Sequence, residues 1–235
     1  MEILEEKLSV GLRVRRSVKE VIEDIAKRIL KMETLNICVC SFSEQGDLLS
    51  QWRGYSNGMA GHSIGFDSVK LQEIAKDNSF LLRKCIYDPE VQREKISVAL
   101  DGLIDKHRMT ADRIMTFPAS NKTYIVPTPF IKDVKKELSL IFPLMKHNSF
   151  KEESEWRLIS NGPLHLKKLS FRTGKSNIIP YAKLKLEELN ENLIKKVIVG
   201  HTPNKELARL STKDFLSKAN LNITVDESAI PFRNW

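Results

Sequence analysis

Cysteine is scarce: the chain has three in 235 residues, Cys38, Cys40 and Cys85. Cys38 and Cys40 are two apart on a strand-like run and too close for a relaxed disulfide, so a disulfide-stapled fold is excluded and buried thiols are expected. The five histidines, at 62, 107, 147, 165 and 201, have no H-x-E or C-x-x-C company, so no metal site is assigned. No apolar run approaches the roughly 18 residues a membrane span needs. The start Met-Glu-Ile-Leu-Glu-Glu-Lys reads as neither a secretory signal nor an Arg- and Ser-rich transit peptide, which gives the expectation of a cytoplasmic protein without membrane contact. There is no internal repeat, no low-complexity tract and no linker, and no P-loop, zinc-finger or RNA-recognition pattern.

What is present is an ordinary globular composition, with 41% hydrophobic and 29% charged residues, enough to bury a sizeable core. A single domain over 1–235 is expected, with a helical lead-in at 1–34 and a core at 35–235. Cations exceed acids by 38 to 30, giving a net charge of +8 and a pI near 9.3. That excess invites a nucleic-acid partner, because Lys and Arg on phosphates release counterions. The basic clusters are modest, at Arg13, Arg15, Arg16 and Lys19, at Lys135 and Lys136, and at Lys167 and Lys168. Acids are interleaved through most of the chain, so a solvated mixed-charge surface is the competing reading.

Periodicity organises the chain. Ser17 with Glu20 forms a capping box before an apolar stripe of Val18, Val21, Ile22, Ile25, Ala26 and Ile29. Asp88 and Pro89 read as N-cap and first residue of a long helix with Ile96, Leu100, Leu103, Ile104 and His107 on one side. Three prolines make Met115 to Pro129 a loop. Thr128 and Pro129 start a further helix with Phe130, Val134, Leu138 and Ile141 inward, ended by Pro143. The last third reads as strands at 156–160, 178–186, 196–199 and 222–225, with one helix after Thr202-Pro203 whose apolar positions are Leu207, Leu210 and Phe215. Strands in mixed order with segregated helices give an α+β fold, a mixed and mostly antiparallel sheet with helices packed around it.

Two stretches carry chemistry. The first, Ser41 to Phe66, holds reactive side chains, aromatics and glycines between two strand-like runs. Ser41 and Ser43 share one face of a strand end. Asp47 reads as the N-cap of a short helix whose Leu48, Trp52 and Tyr55 share a face, with Arg53 pointing away. A glycine turn leads to a strand with His62, Ile64 and Phe66 on one face, where His62 reads as a packed strand histidine. Ser41, Ser43, Arg53 and Tyr55 are the candidate ligand-binding residues. Ser43 alternatively caps a turn, and Arg53 is equally consistent with a plain surface role. The second stretch, Glu152 to Arg157, puts Glu153, Glu155 and Arg157 on one strand face with Trp156 and Leu158 inward. It reads either as a carboxylate presented to a pocket or as a surface salt-bridge ladder.

These blocks, in order, resemble a mainly bacterial family known as domain of unknown function 2971. Ser41-Phe-Ser-Glu44, Leu49-Ser-Gln-Trp-Arg53 with Tyr55, the glycine turn and Ile64-Gly-Phe66 are similar to its signature. Lys146-His147, Phe150 and Glu153-Ser-Glu-Trp-Arg-Leu158 follow, then Phe171-Arg172 with Ile179-Pro-Tyr181, Lys196-Val-Ile-Val-Gly200 and Ser228-Ala-Ile-Pro-Phe-Arg233. The resemblance covers residues 35–235. Relatives open with a segment reading approximately L-Y-H-Y-T-S, and this sequence starts after that point.

That opening looks like the first strand of ADP-ribosyltransferases, so the resemblance implies an enzyme of that type acting on NAD as substrate. Mapped here, Tyr55 or Trp52 is the aromatic, Glu155 is the catalytic carboxylate supporting an oxocarbenium-like transition state, and Arg53, Arg157 and Arg172 hold phosphates. The alternative is a non-catalytic module that binds a nucleotide or nucleic acid through the same arginines, within a stress or phage-defence system. The sequence leaves substrate and oligomeric state open.

Overall fold

A computed structural model describes residues 36–56, 61–107, 128–186 and 192–231. In chain order the elements are β1 (Val39–Ser43), α1 (Leu49–Tyr55), β2 (His62–Phe66), α2 (Ser68–Asp77), β3 (Phe80–Lys84), α3 (Pro89–Lys106) and α4 (Thr128–Ile141). Then come β4 (Glu155–Ser160), β5 (Ser170–Thr173), β6 (Ile178–Tyr181), β7 (Ile194–Val199), α5 (Lys205–Lys218) and β8 (Thr224–Glu227). Strands pair as β1-β4-β3, β2-β7-β8 and β5-β6. β2-β7 and β5-β6 are antiparallel and β7-β8 is parallel, so the α+β reading holds. The capping box and stripe at 17–29, the lead-in at 1–34, nearly all of the Met115–Pro129 loop and Arg233 lie outside the described residues.

The residues form two compact units. One takes Cys85–Asn148 and Ile159–Ala182 with the segment ending at Val39; the other takes Cys40–Lys84, Ser149–Leu158 and the segment from Lys183.

In the first unit Asp88 caps α3 as its sequence implies, accepting from the backbone N–H groups of Glu90 and Val91, with Pro89 at the first helical position. α4 buries Phe130, Val134 and Leu138 at i, i+4 and i+8. A tie joins the two helices: Asp133 accepts from Lys106 at 2.7 Å and sits 3.0 Å from His107 Nε2, whose ring lies edge-on to Phe130. His107 is thus packed, as expected. The β5-β6 hairpin belongs to this unit. Its register sets Arg172 opposite Ile179. The strand stops at Tyr181, where the sequence suggested Leu186.

The second unit holds the three-stranded sheet centred on β7. Val197 and Val199 bury one face, while Lys196 and Ile198 point to the other, the alternation a strand imposes. α5 contacts β7 and β8 and buries Leu216. Leu207, Leu210 and Phe215, expected as its core positions, are exposed, because the helix offers the sheet a stripe centred on Leu216 and is followed by the buried Leu221 and Ile223. His62, expected to be packed, is exposed and hydrogen-bonds Thr212 of α5 at 3.0 Å. α2 and β3 had no sequence expectation. Asp67 caps α2, accepting from the N–H groups of Val69 and Lys70, and Ser79 at φ 61° turns the chain into β3. Of the three thiols only Cys85 is buried; Cys40 is exposed and Cys38 half-buried, which corrects the expectation of three buried cysteines.

A candidate ligand cavity beside β2 and β7

Asp47 organises the region. It was expected to cap α1, but the residue at that position is Leu48, with no side-chain cap. Asp47 turns instead toward the C-terminal segment. Its Oδ1 accepts from Trp52 Nε1 and from Ser228 Oγ, both at 2.6 Å, and its Oδ2 accepts from the Ala229 N–H at 2.8 Å. Burial would raise this carboxyl, but the hydrogen bonds from Ser228, Trp52 and Ala229 together hold it below the ordinary Asp range. Trp52, 6% exposed, fills the crook where Gly200 donates to the Gly61 carbonyl at 2.8 Å. A Cβ on Gly200 would sit 2.8 Å from the Trp52 ring and 3.0 Å from the Gly61 oxygen, so the indole fits only because that residue is glycine.

This knot frames one wall of a cavity of about 830 Å3 lying wholly in the second unit. The end of β1, the loop Glu44–Gly46, α1, β2, the start of α2, Leu82, Trp156 and the Lys196 and Ile198 face of β7 line it. The volume falls in the range of small-molecule sites, roughly 300–1,000 Å3. Ser41, Ser63, Gln51 and Gln72 face it with side chains that make no hydrogen bond among the described residues. Tyr55, 76% exposed, and Trp156 supply aromatic surface. Tyr55 was expected to share the Trp52 face; three residues on, it leaves the core and stands at the cavity wall instead.

The ionised groups are few. Glu44 lines the cavity and accepts from Lys84 at 2.8 Å and from Trp156 Nε1 at 2.7 Å, hydrogen bonds that keep its carboxyl below the ordinary Glu range. Lys196 is paired with Asp226 at 2.6 Å. Glu44 was quoted within a motif but given no role by the sequence reading; its position after two alternating serines at a strand end was the available signal.

The expected site residues separate. Ser41, Ser43 and Tyr55 line the cavity. Ser43 has its hydroxyl engaged, donating to the Glu153 carbonyl at 2.7 Å and accepting from the Gln45 N–H at 3.0 Å, which is the turn-capping alternative. Arg53 is exposed on α1 and outside the lining. Arg172 is exposed on β5 of the other unit. Glu155 and Arg157 share a face of β4 and pair through two contacts, Nε to Oε1 at 2.8 Å and Nη2 to Oε2 at 3.3 Å, with Glu155 only 4% exposed. Neither lines the cavity. Trp156, expected inward with Leu158, is half-buried at the cavity wall. Glu153 does not join the face of Glu155: it ends a 3₁₀ segment, and Ser154 at φ 42° separates it from the strand. Among the described residues no cluster of His, Cys, Asp and Glu could hold a metal ion, and no helix is long and apolar enough to cross a membrane.

Residues 51–158 match the model of a family described as "Protein of unknown function (DUF2971)". Comparison with curated proteins and with solved structures finds no match. The matched span opens on the helix that carries Trp52 and closes on the strand that carries Glu155, Trp156 and Arg157, and over these residues the chain is similar to the DUF2971 family.

Proposed function

We propose that the cavity binds the nucleoside portion of a nucleotide, as a binding module. The observation that carries this reading is the lining: two accessible aromatic side chains, Tyr55 and Trp156, beside the uncommitted hydroxyls and amides of Ser41, Ser63, Gln51 and Gln72. A heteroaromatic base presents a flat face for stacking and an edge of donors and acceptors, and a ribose presents hydroxyls, which suits a lining of neutral polar groups and rings. Glu44, held ionised, is the carboxylate available to accept from a ribose hydroxyl or an exocyclic amine.

The transferase reading needs a carboxylate at the ribose and assigned it to Glu155. Glu155 lies on the strand face opposite Trp156 and is engaged by Arg157, so the geometry favours binding over turnover. The test is calorimetric titration with adenosine, ADP-ribose and NAD, together with an assay of nicotinamide release. Saturable binding is expected for all three, weakened in Tyr55→Ala by about fivefold or more, the lower end of what a base-stacking ring contributes. No saturable heat at millimolar ligand refutes the reading. Nicotinamide release that disappears in Glu155→Gln would replace it with the transferase.

A further inference from the structure

Residues 161–186 carry six cations, Lys167, Lys168, Arg172, Lys175, Lys183 and Lys185, and no Asp or Glu, in a chain that elsewhere interleaves its 30 acids with its cations. Four of the six, Lys167, Lys168, Arg172 and Lys175, belong to the first unit. All four are exposed, and none has a carboxylate partner among the described residues. Cations elsewhere are commonly paired, as Lys70 is with Glu73, Lys84 with Glu44, Lys106 with Asp133 and Lys196 with Asp226.

The hairpin fixes where these charges stand. Directly opposed residues in an antiparallel pair share a face. Phe171 with Pro180 and Thr173 with Ile178 therefore form one face, and all four are exposed, Phe171 at 55% and Ile178 at 69%. The other face carries Ser170, Tyr181, Ile179 and the exposed Arg172; the first three are half-buried, so the hairpin seats itself by that side and turns the Phe171 face outward. The tip is closely packed: a Cβ on Gly174 would lie 2.6 Å from Ile179 Cδ1 and 2.7 Å from the Asn177 oxygen, and Gly174 donates to that oxygen at 2.9 Å. Lys175 is held at this tip. Lys167 and Lys168 sit at the opposite end, in a 3₁₀ turn that His165 caps by accepting from the Lys167 N–H.

We infer that the outward face of this hairpin docks single-stranded nucleic acid, its phosphates on Lys167 and Lys168 at one end and Lys175 at the other and a base stacked on Phe171. A line of unpaired cations with an exposed ring between them is the arrangement by which sheet surfaces hold an unpaired strand without reading its sequence. An anionic membrane would meet the same charges, but β5 and β6 pair only with each other among the described residues. Their outer backbone groups would find no partner in hydrocarbon, and the tip residues Ser176 and Asn177 are polar. The hairpin belongs to the first unit and the cavity to the second, and the inference does not rest on what fills the cavity.

The test uses the full chain with labelled oligo(dT) and oligo(U) of about 20 nucleotides, longer than the site on one small module, read by fluorescence anisotropy. Binding is expected to weaken with salt, with a log–log slope of no more than about −2 for three neutralised phosphates at roughly −0.7 each. The K167A/K168A/K175A variant, all exposed positions, should keep the parent's circular dichroism and lose binding by tenfold or more while its slope flattens. Phe171→Ala should weaken binding by about fivefold or more with the slope unchanged, since it removes stacking and no charge. Absence of oligonucleotide binding, or binding that the triple variant leaves unaltered, overturns the inference. So does co-sedimentation with phosphatidylserine vesicles that the same variant abolishes while oligonucleotides fail to bind, an outcome that assigns the face to a membrane surface.

Discussion

Replacing Asp47 with Ala takes the acceptor from three donors at once. Two of them are buried: Trp52 is 6% exposed and Ser228 3%. The third, the N–H of Ala229, belongs to an exposed residue and regains water. A buried donor left without a partner costs about 1–3 kcal/mol. The Ser228 hydroxyl can rotate toward another acceptor, and losing the carboxylate also removes its own desolvation penalty. The net expectation is a loss of about 2–4 kcal/mol. Asp47→Asn keeps the volume and one carbonyl oxygen for Trp52 and Ser228, and sets an amide against the Ala229 N–H, so it should cost about 1 kcal/mol.

Urea unfolding followed by tryptophan fluorescence reads this directly, because Trp52 and Trp156 both belong to the second unit. With a slope of about 2–3 kcal/mol per molar, the midpoint of Asp47→Ala should fall by about 1 M. Since the Asp47 carboxyl titrates below its ordinary range in the folded state, its contribution is present above the unfolded-state value and is lost as pH falls through the folded one. The gap between wild type and variant should therefore narrow in acid, below the ordinary Asp range, and not at neutral pH. A midpoint for Asp47→Ala indistinguishable from wild type, or a larger loss in Asn than in Ala, would refute the account of the knot.

Gly200→Ala should destabilise by about 1–3 kcal/mol by overpacking, because the contacts at 2.8 and 3.0 Å are with an aromatic ring and a backbone oxygen that cannot swing aside; a thermal melt equal to the parent's would show that the strand shifts freely. Glu155→Gln should lower stability by roughly 3 kcal/mol, since it leaves the Arg157 guanidinium short of its carboxylate in a buried setting, while leaving the affinity of the cavity for nucleosides unchanged in calorimetry.

The legible parts of the fold were those whose signals are local. Asp88-Pro89 announces a helix start because cap and first residue are adjacent, and the i, i+4 spacing of Phe130, Val134 and Leu138 survives any tertiary arrangement. α5 misled because Leu207, Leu210 and Phe215 give apolar positions at loose spacing, and only the sheet decides which side of the helix is covered; it covers Leu216. Asp47 looked like an N-cap by its place before Leu48 and Leu49, yet its partners Ser228 and Ala229 lie 181 and 182 residues further on. No local rule reaches across that distance.

The same limit explains the divided fate of the candidate site. Period-two alternation correctly placed Glu155 and Arg157 on one face of a strand and Trp156 on the other. It is silent on which face meets the cavity. The tryptophan was expected inward with Leu158, and the carboxylate either presented to a pocket or set in a surface salt-bridge ladder. The structure departs from both: the pair buries itself by mutual hydrogen bonding, and the indole stands half-covered at the cavity wall, its N–H satisfied by Glu44. A buried Glu–Arg pair two residues apart on a strand holds local geometry and leaves the carboxylate no free lobe toward Trp156's side. In the proposed nucleoside site, the residue of the Glu155-Trp156-Arg157 block that would meet the ligand is the tryptophan, and the carboxylate that would meet it is Glu44, which accepts from the indole of Trp156. Trp156→Phe separates the two roles: the ring is kept and the N–H lost, so stacking should survive while Glu44 loses one of its two donors. Nucleoside affinity should fall only a few-fold, by the worth of one hydrogen bond to a charged group at a partly solvated site, about 1 kcal/mol. A loss as large as that of Trp156→Ala would mean that orientation of Glu44, and not stacking, is what the tryptophan contributes.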